Sequence, residues 1–131
     1  VLFGANILSF VFRLVNPVFM NEISWKDFEQ VELRVGTITE VKDFPEARKP
    51  AYKLEIDFGK EIGFKKSSAQ ITEHYKKEDL IGRQIIAVIN FPSKQIGPFI
   101  SECLVTGLPD SEGRVVLISP DQKVENGSKL Y

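Results

Sequence analysis

The chain is poor in the residue types that most often carry chemistry. It has one cysteine (Cys103), one histidine (His74), one tryptophan and one methionine in 131 residues. One thiol excludes an internal disulfide framework and fits a reducing, cytoplasmic setting. Cys103 lies in the apolar run 100–105, where a free thiol reads as a small buried core residue. His74 has no Cys, His or carboxylate partner at a ligand spacing and reads as an exposed helix residue, so no metal site is expected. A phosphate-cradling glycine loop is missing too: residues 59–63 lack the Lys-Ser/Thr ending and the following helix. Asp57 and Glu61 flank a hairpin turn, where carboxylates are usually solvated. With no acid–base pair, nucleophile or cofactor motif, the expectation is a binding protein that is not an enzyme and carries no cofactor.

Net charge is also scarce. Lys and Arg total 17 against 18 Asp and Glu, a formal charge of -1. The whole molecule is therefore not an electrostatic polyanion binder. The distribution is uneven, however: residues 42–94 hold 11 basic and 8 acidic residues, and the remainder 6 and 10. Any polyanion is expected to meet the middle of the chain.

One long apolar run stands at the start. Residues 1–19 carry a single charge, Arg13, and do not begin with methionine. A signal peptide needs a basic n-region and a small-residue cleavage site, and neither is clear. A membrane span needs about 20 apolar residues, and Arg13, Asn16 and Pro17 interrupt this one. Composition changes abruptly at Met20 and a complete domain follows. Residues 1–19 are read as an apolar N-terminal extension foreign to the native chain, and 20–131 as one domain without membrane insertion.

Within that domain, Ser24-Trp25-Lys26-Asp27 has the form of a capping box with Asp in place of Glu, opening a short helix to about Gln30. Residues 33–43 are β-branched and read as a long strand bent at Gly36. Residues 44–50, with two prolines, form a loop. Tyr52, Leu54, Ile56 and Phe58 alternate with Lys53, Glu55 and Asp57, which is a half-buried strand. A turn at 59–60 leads to a returning strand over 61–66. One or two helical turns fit 72–80, ending at Gly82. Residues 83–90 read as a central strand, and 100–105 and 114–118 as two more, separated by a turn-rich segment at 107–113. A further turn stands at Asn126-Gly127. This layout is that of an all-β, five-stranded oligonucleotide-binding (OB-fold) barrel with short helices, an N-terminal helix and a C-terminal extension.

Two polar runs compete for function. Lys65, Lys66, Ser67, Ser68 and Gln70 form one; Asn90 and Lys94 belong to the other; Ser101 and Glu102 open a later strand. The lysines supply charge for a polymer backbone, and the serines and amides supply short-range hydrogen bonds. Each has a plainer reading. Ser67 or Ser68 could start the following helix, Lys65-Lys66 could be a solvated face, and Asn90 could end a strand.

The residues also resemble a known family. Residues 31–38 (Val-Glu-Leu-Arg-Val-Gly-Thr-Ile), 44–47 (Phe-Pro-Glu-Ala), 68–71 (Ser-Ala-Gln-Ile), 80–84, Asn90-Phe91-Pro92, Lys94, Gly97 and Ser101-Glu102 together resemble the tRNA-binding domain family. The loop 44–51, the run 65–71 and Pro120-Asp121-Gln122 resemble its export-related chaperone subgroup. The broader pattern has Ser-Gly before Ile where this chain has Ser68-Ala69-Gln70, which favours that subgroup. The resemblance implies a cytoplasmic, non-catalytic homodimer, joined through its N-terminal helix and C-terminal extension. It places Lys66, Ser68, Gln70, Asn90, Lys94, Ser101 and Glu102 on the binding face. It leaves Trp25, Phe28, Val116 and Ile118 between core and interface. The implied partners are tRNA and, as the alternative, unfolded precursor proteins and export machinery. For a peptide, the loop residues Phe44, Phe91, Ile96 and Phe99 would be exposed contacts.

Overall fold

Ser24 opens the fold. Its hydroxyl accepts the N–H of Asp27 at 3.0 Å, and the Asp27 carboxylate accepts the N–H of Ser24 at 3.1 Å. This reciprocal pair is the capping box read from the sequence. The computed structural model describes residues 20–131, so the reading of residues 1–19 falls outside the described range. Helix α1 (Trp25–Glu29) buries none of its residues. Trp25 stays 62% exposed and packs against Phe28 with the rings tilted by 50° and their centroids 5.4 Å apart.

The frame is one long strand, β1 (Leu33–Asp43), shared among three partners. Its second half pairs antiparallel with β2 (Tyr52–Asp57), which pairs with β3 (Phe64–Ala69). Its first half pairs with β4 (Gln84–Val88), which in turn meets β7 (Leu104–Val105). The sheet order β3-β2-β1-β4-β7 curls into a five-stranded, nearly closed antiparallel barrel of the OB type, as expected. Helix α2 (Lys77–Leu80) plugs one end with fully buried Leu80. Two small hairpins attach to the barrel: β5 (Lys94–Ile96) with β6 (Phe99–Ser101), and β8 (Gly107–Pro109) with β9 (Val115–Leu117).

The alternation in β2 does what period two requires. Leu54 and Ile56 point inward and join Ile38, Phe58, Leu80 and Ile85, all at most 1% exposed. Full burial of such a side chain is worth about 1.5–3 kcal/mol. The C-terminal extension is tied to the other edge of β1: Val35 N–H donates to Ser128 O at 3.0 Å and Leu130 N–H to Leu33 O at 2.9 Å. Glu32 reinforces it, with Arg34 at 2.7 Å and Lys129 at 3.0 Å. Hydrogen bonds from those two cations hold the Glu32 carboxyl below its usual range.

Several expectations are corrected. The irregularity in β1 lies between Ile38 and Glu40, not at Gly36. Gly36 is there for packing, since a Cβ would stand 2.6 Å from Ile56 Cγ2 and 2.8 Å from the Phe58 ring. The returning strand starts at Phe64 and runs through both serines, so neither caps a helix. The strand expected over 100–105 breaks at Glu102-Cys103, where the chain leaves the β5–β6 hairpin for the barrel. Residues 107–109, read as turn, pair as an edge strand, where Pro109 costs no inner-ladder bond. His74 is exposed, but it lies in a turn and meets Asp110 Oδ2 at 2.7 Å. The hydrogen bond from His74, with those from the Arg114 and Glu112 backbone, holds the Asp110 carboxyl well below its usual range.

Gly36→Ala tests the packing of the barrel wall. The methyl meets two core side chains below contact distance, so overpacking should cost about 1–3 kcal/mol. The urea midpoint should fall accordingly. An unchanged midpoint would show that Ile56 and Phe58 shift freely.

Candidate nucleic-acid and peptide interface

The barrel is closed between β3 and the 101–105 segment, and this seam uses side chains where a ladder would use backbone. Only one ordinary bond is made there, Glu102 N–H to Lys66 O at 2.7 Å. The return bond comes from Lys66 N–H to Glu102 Oε1 at 2.9 Å. Ser101 Oγ accepts the N–H of Ser68 at 3.1 Å and donates to Cys103 O at 3.4 Å. Ser67 Oγ donates to Cys103 O at 3.1 Å. The hydroxyls and carboxylate thus satisfy backbone groups that a short, broken strand leaves open.

This arrangement sorts the nine residues singled out from the sequence. Strand alternation sends Lys65, Ser67 and Ala69 one way and Lys66, Ser68 and Gln70 the other. Ser67 is 0% exposed and belongs to the core, out of reach of a ligand. Lys65 is half-buried on the same side of the strand. Lys66 is exposed on the outer face, and Glu102 is spent on its backbone. Asn90 is exposed, but its amide is engaged: Oδ1 accepts Glu32 N–H at 3.0 Å and Nδ2 donates to Gln30 O at 2.7 Å. It fastens the exit of α1 to the end of β4.

Ser68, Gln70, Lys94 and Ser101 come together in one open groove of about 570 Å³. Nine of its thirteen lining residues are apolar, among them Ile71, Phe91, Ile96, Leu104 and Val115. That apolar lining was missed in sequence because it is assembled from five separate segments. The Ser101 hydroxyl is committed to the seam, whereas Ser68 gives it only its backbone N–H, leaving the Ser68 hydroxyl, Gln70 and Lys94 as polar rim groups whose side chains make no hydrogen bond among the described residues. Cys103 lies at the floor, 7% exposed, and burial pushes its thiol up to about 12. It is a small apolar surface there and not a nucleophile.

The outer face of β1, β2 and β3 is not a simple basic patch. Cross-strand rows run Lys42–Lys53–Ser68 and Glu40–Glu55–Lys66. Lys42 pairs with Glu40 at 3.0 Å, and Lys53 Nζ sits 5.5 Å from the centre of the Phe44 ring. Phe44 is buried edge-on to half-buried Phe99. Of the four loop apolars expected to be exposed, Phe91 alone is, while Ile96 is half-buried. Among the described residues there is no group of three His, Cys, Asp or Glu able to hold a metal, and no helix long and apolar enough to cross a membrane.

An OB-type barrel with a groove between β3, the β4–β5 loop and β7 defines a class of polymer-binding module. The chain belongs to the tRNA-binding domain family: residues 33–129 match the model described as "Putative tRNA binding domain". Its solved neighbours include the chaperone CsaA of Bacillus anthracis, at 51% identity and TM-score 0.78 over 85% of this chain and 100% of that one. The CsaA chaperone protein of Picrophilus torridus has 55% identity and TM-score 0.78, over 84% and 100%. Among curated relatives, methionine–tRNA ligase of Pyrococcus horikoshii is 35% identical over 111 residues, 85% of this chain and 15% of that protein. The enzyme of Methanocaldococcus jannaschii is 32% identical over 85% of this chain and 17% of its own length. The chain therefore spans about one sixth of the curated relatives it matches.

The Cys103 environment gives a direct check. At pH 8 a thiol held near 12 is almost wholly protonated, so iodoacetamide should label the native protein more than ~100-fold more slowly than the urea-unfolded chain. Equal rates would mean that the groove floor is open to solvent.

Proposed function

We propose that this chain is a non-catalytic, cytoplasmic RNA-binding module of the CsaA type, which holds tRNA as a homodimer and serves as a chaperone in protein export. One observation carries the reading: the groove presents an apolar floor with a free cation, Lys94, and a free amide, Gln70, on its rim. Unstacked bases can rest on such a floor while the lysine meets the backbone. Its apolar majority also supports the second reading, a groove for the apolar side chains of an unfolded precursor, with little tRNA affinity.

Labelled tRNA titrated at several salt concentrations decides between them. Lys94→Ala should weaken binding several-fold at low salt and reduce the log–log salt slope by roughly 0.7–0.9, whereas Lys66→Ala, outside the groove and opposite Glu55, should change both less. Competition by an unfolded client should displace the tRNA if one groove serves both. Absence of tRNA binding at low salt, with the client still protected from aggregation, would leave the peptide reading alone.

The dimer reading rests on an uncovered apolar surface. Ile23 (69% exposed) just before α1, Trp25 (62%) on it and Leu130 (41%) on the C-terminal extension are exposed, and Lys129 Nζ links the extension to Glu29 O of α1 at 3.0 Å. Such a patch marks an association surface. Trp25 is the sole tryptophan, so its emission should shift to shorter wavelength as concentration rises through the dimer constant, in step with the size-exclusion volume. A monomeric elution at every concentration would sink this part.

A further inference from the structure

We infer a second site, a phosphate-binding cleft at the opposite end of β4 from the groove. It lies between residues 82–84, where β4 begins, and residues 119–123 of the C-terminal extension, and has a volume of about 420 Å³. Among the described residues two cations line it, Arg83 and Lys123, together with the Ser119 hydroxyl, and no carboxylate does. That sets it apart from the neighbouring clefts. Glu61 and Glu125 share the one that holds Arg34 and Lys60, and Glu40 and Glu55 share the one that holds Lys42, Lys53 and Lys66. The nearest acid in sequence, Asp121, does not line the cleft; its Oδ2 accepts from Gln122 Nε2 at 3.2 Å.

The fold fixes the Arg83 guanidinium and the backbone beside Lys123. The Arg83 guanidinium lies 5.1 Å from the centre of the Tyr75 ring, and the Tyr75 hydroxyl is fixed by the N–H of Leu117 at 2.9 Å. Lys123 precedes Val124, which Gln84 grips at both backbone atoms: Gln84 Nε2 donates to Val124 O at 2.6 Å and Val124 N–H donates to Gln84 Oε1 at 3.1 Å. Neither Arg83 nor Lys123 forms an ion pair among the described residues. Two cations without carboxylate partners among the described residues, one of them fixed on a tyrosine ring, beside a hydroxyl suit a phosphate group, which brings the charge and acceptor oxygens they lack. At about 3.3 Å per residue along β4, this cleft stands roughly 20 Å from the Asn90-Phe91 end of the groove. A folded RNA spans that distance with ease, so a backbone phosphate is the natural source, with free phosphate as the other. The site goes beyond the groove reading, and only its RNA arm rests on it.

Inorganic phosphate titrated into isotope-labelled protein should move the amides of residues 82–84 and 119–123 saturably, with groove residues unmoved. Lys123→Ala, an exposed change that leaves the core alone, should abolish that saturation, and Arg83→Gln should weaken it. Saturation unaltered by both changes, or equal shifts at lysines across the surface, would overturn the site. In the RNA arm, Lys123→Glu should weaken tRNA binding about tenfold near 0.1 M salt and lower the salt slope. Unchanged tRNA affinity beside a lost phosphate response would assign the cleft to free phosphate. Failure of the wild-type protein to bind tRNA would refute the groove reading, while the phosphate titration still decides this one.

Discussion

The seam between β3 and the 101–105 segment is the constraint on which the rest depends. A barrel of five short strands has to close, and here the closing strand is broken at Glu102-Cys103. Each backbone N–H left open in that seam would cost about 1–3 kcal/mol. Glu102 Oε1 and Ser101 Oγ take the N–H groups of Lys66 and Ser68, and Ser67 Oγ takes up the Cys103 carbonyl. The side chains of Ser67, Ser101 and Glu102 are thereby withdrawn from ligand binding, whereas Lys66 and Ser68 give the seam only their backbone. What remains for a ligand is the space beside the seam, with a largely apolar floor and a few polar side chains on its rim.

The break also creates the groove. An unbroken strand over 100–105 would continue the barrel wall beside β3. Instead the chain first forms the β5–β6 hairpin, whose Lys94 lies opposite Ser101. That register carries Lys94, the only cation among the described residues that line the groove, to its edge. On the far side of the barrel, β1 does comparable work by sharing its length between β2, β4 and the C-terminal extension. The β2 and β4 pairings overlap at Thr37, and at Gly36 just before it the absence of a side chain leaves the room that Ile56 and Phe58 fill.

Much of the barrel was legible because its signals are local. Alternation at 52–58, the Ser24–Asp27 box and the apolar run before Asn90 each declare themselves within a few residues. The site was less legible because its partners are distant. Ser67 and Cys103 are 36 positions apart, as are Lys66 and Glu102. A serine that closes a seam and one that waits for a ligand look alike until those partners are known. Asn90 shows the same ambiguity: its short amide reads as a recognition group, yet it is engaged by Gln30 and Glu32, 60 and 58 positions away. His74 and Asp110 likewise look unrelated until a turn and a hairpin bring them to 2.7 Å. The apolar lining was hidden for the opposite reason, since Ile71, Leu104 and Val115 are individually ordinary core-type residues.

A net charge of -1 means that the protein exerts little long-range pull on a polyanion. At physiological ionic strength the screening length is about 8 Å, so each cation acts on what lies directly against it. Lys94 at the groove and the Arg83–Lys123 pair at the other end of β4 are too far apart to act as one patch. A ligand gains from both only if its own shape places charge at both. Mixed charge on the outer face sharpens this, because Glu40 and Glu55 penalise a phosphate laid across Lys42, Lys53 and Lys66. Selectivity in such a molecule comes from the spacing fixed by a rigid strand rather than from the amount of positive charge.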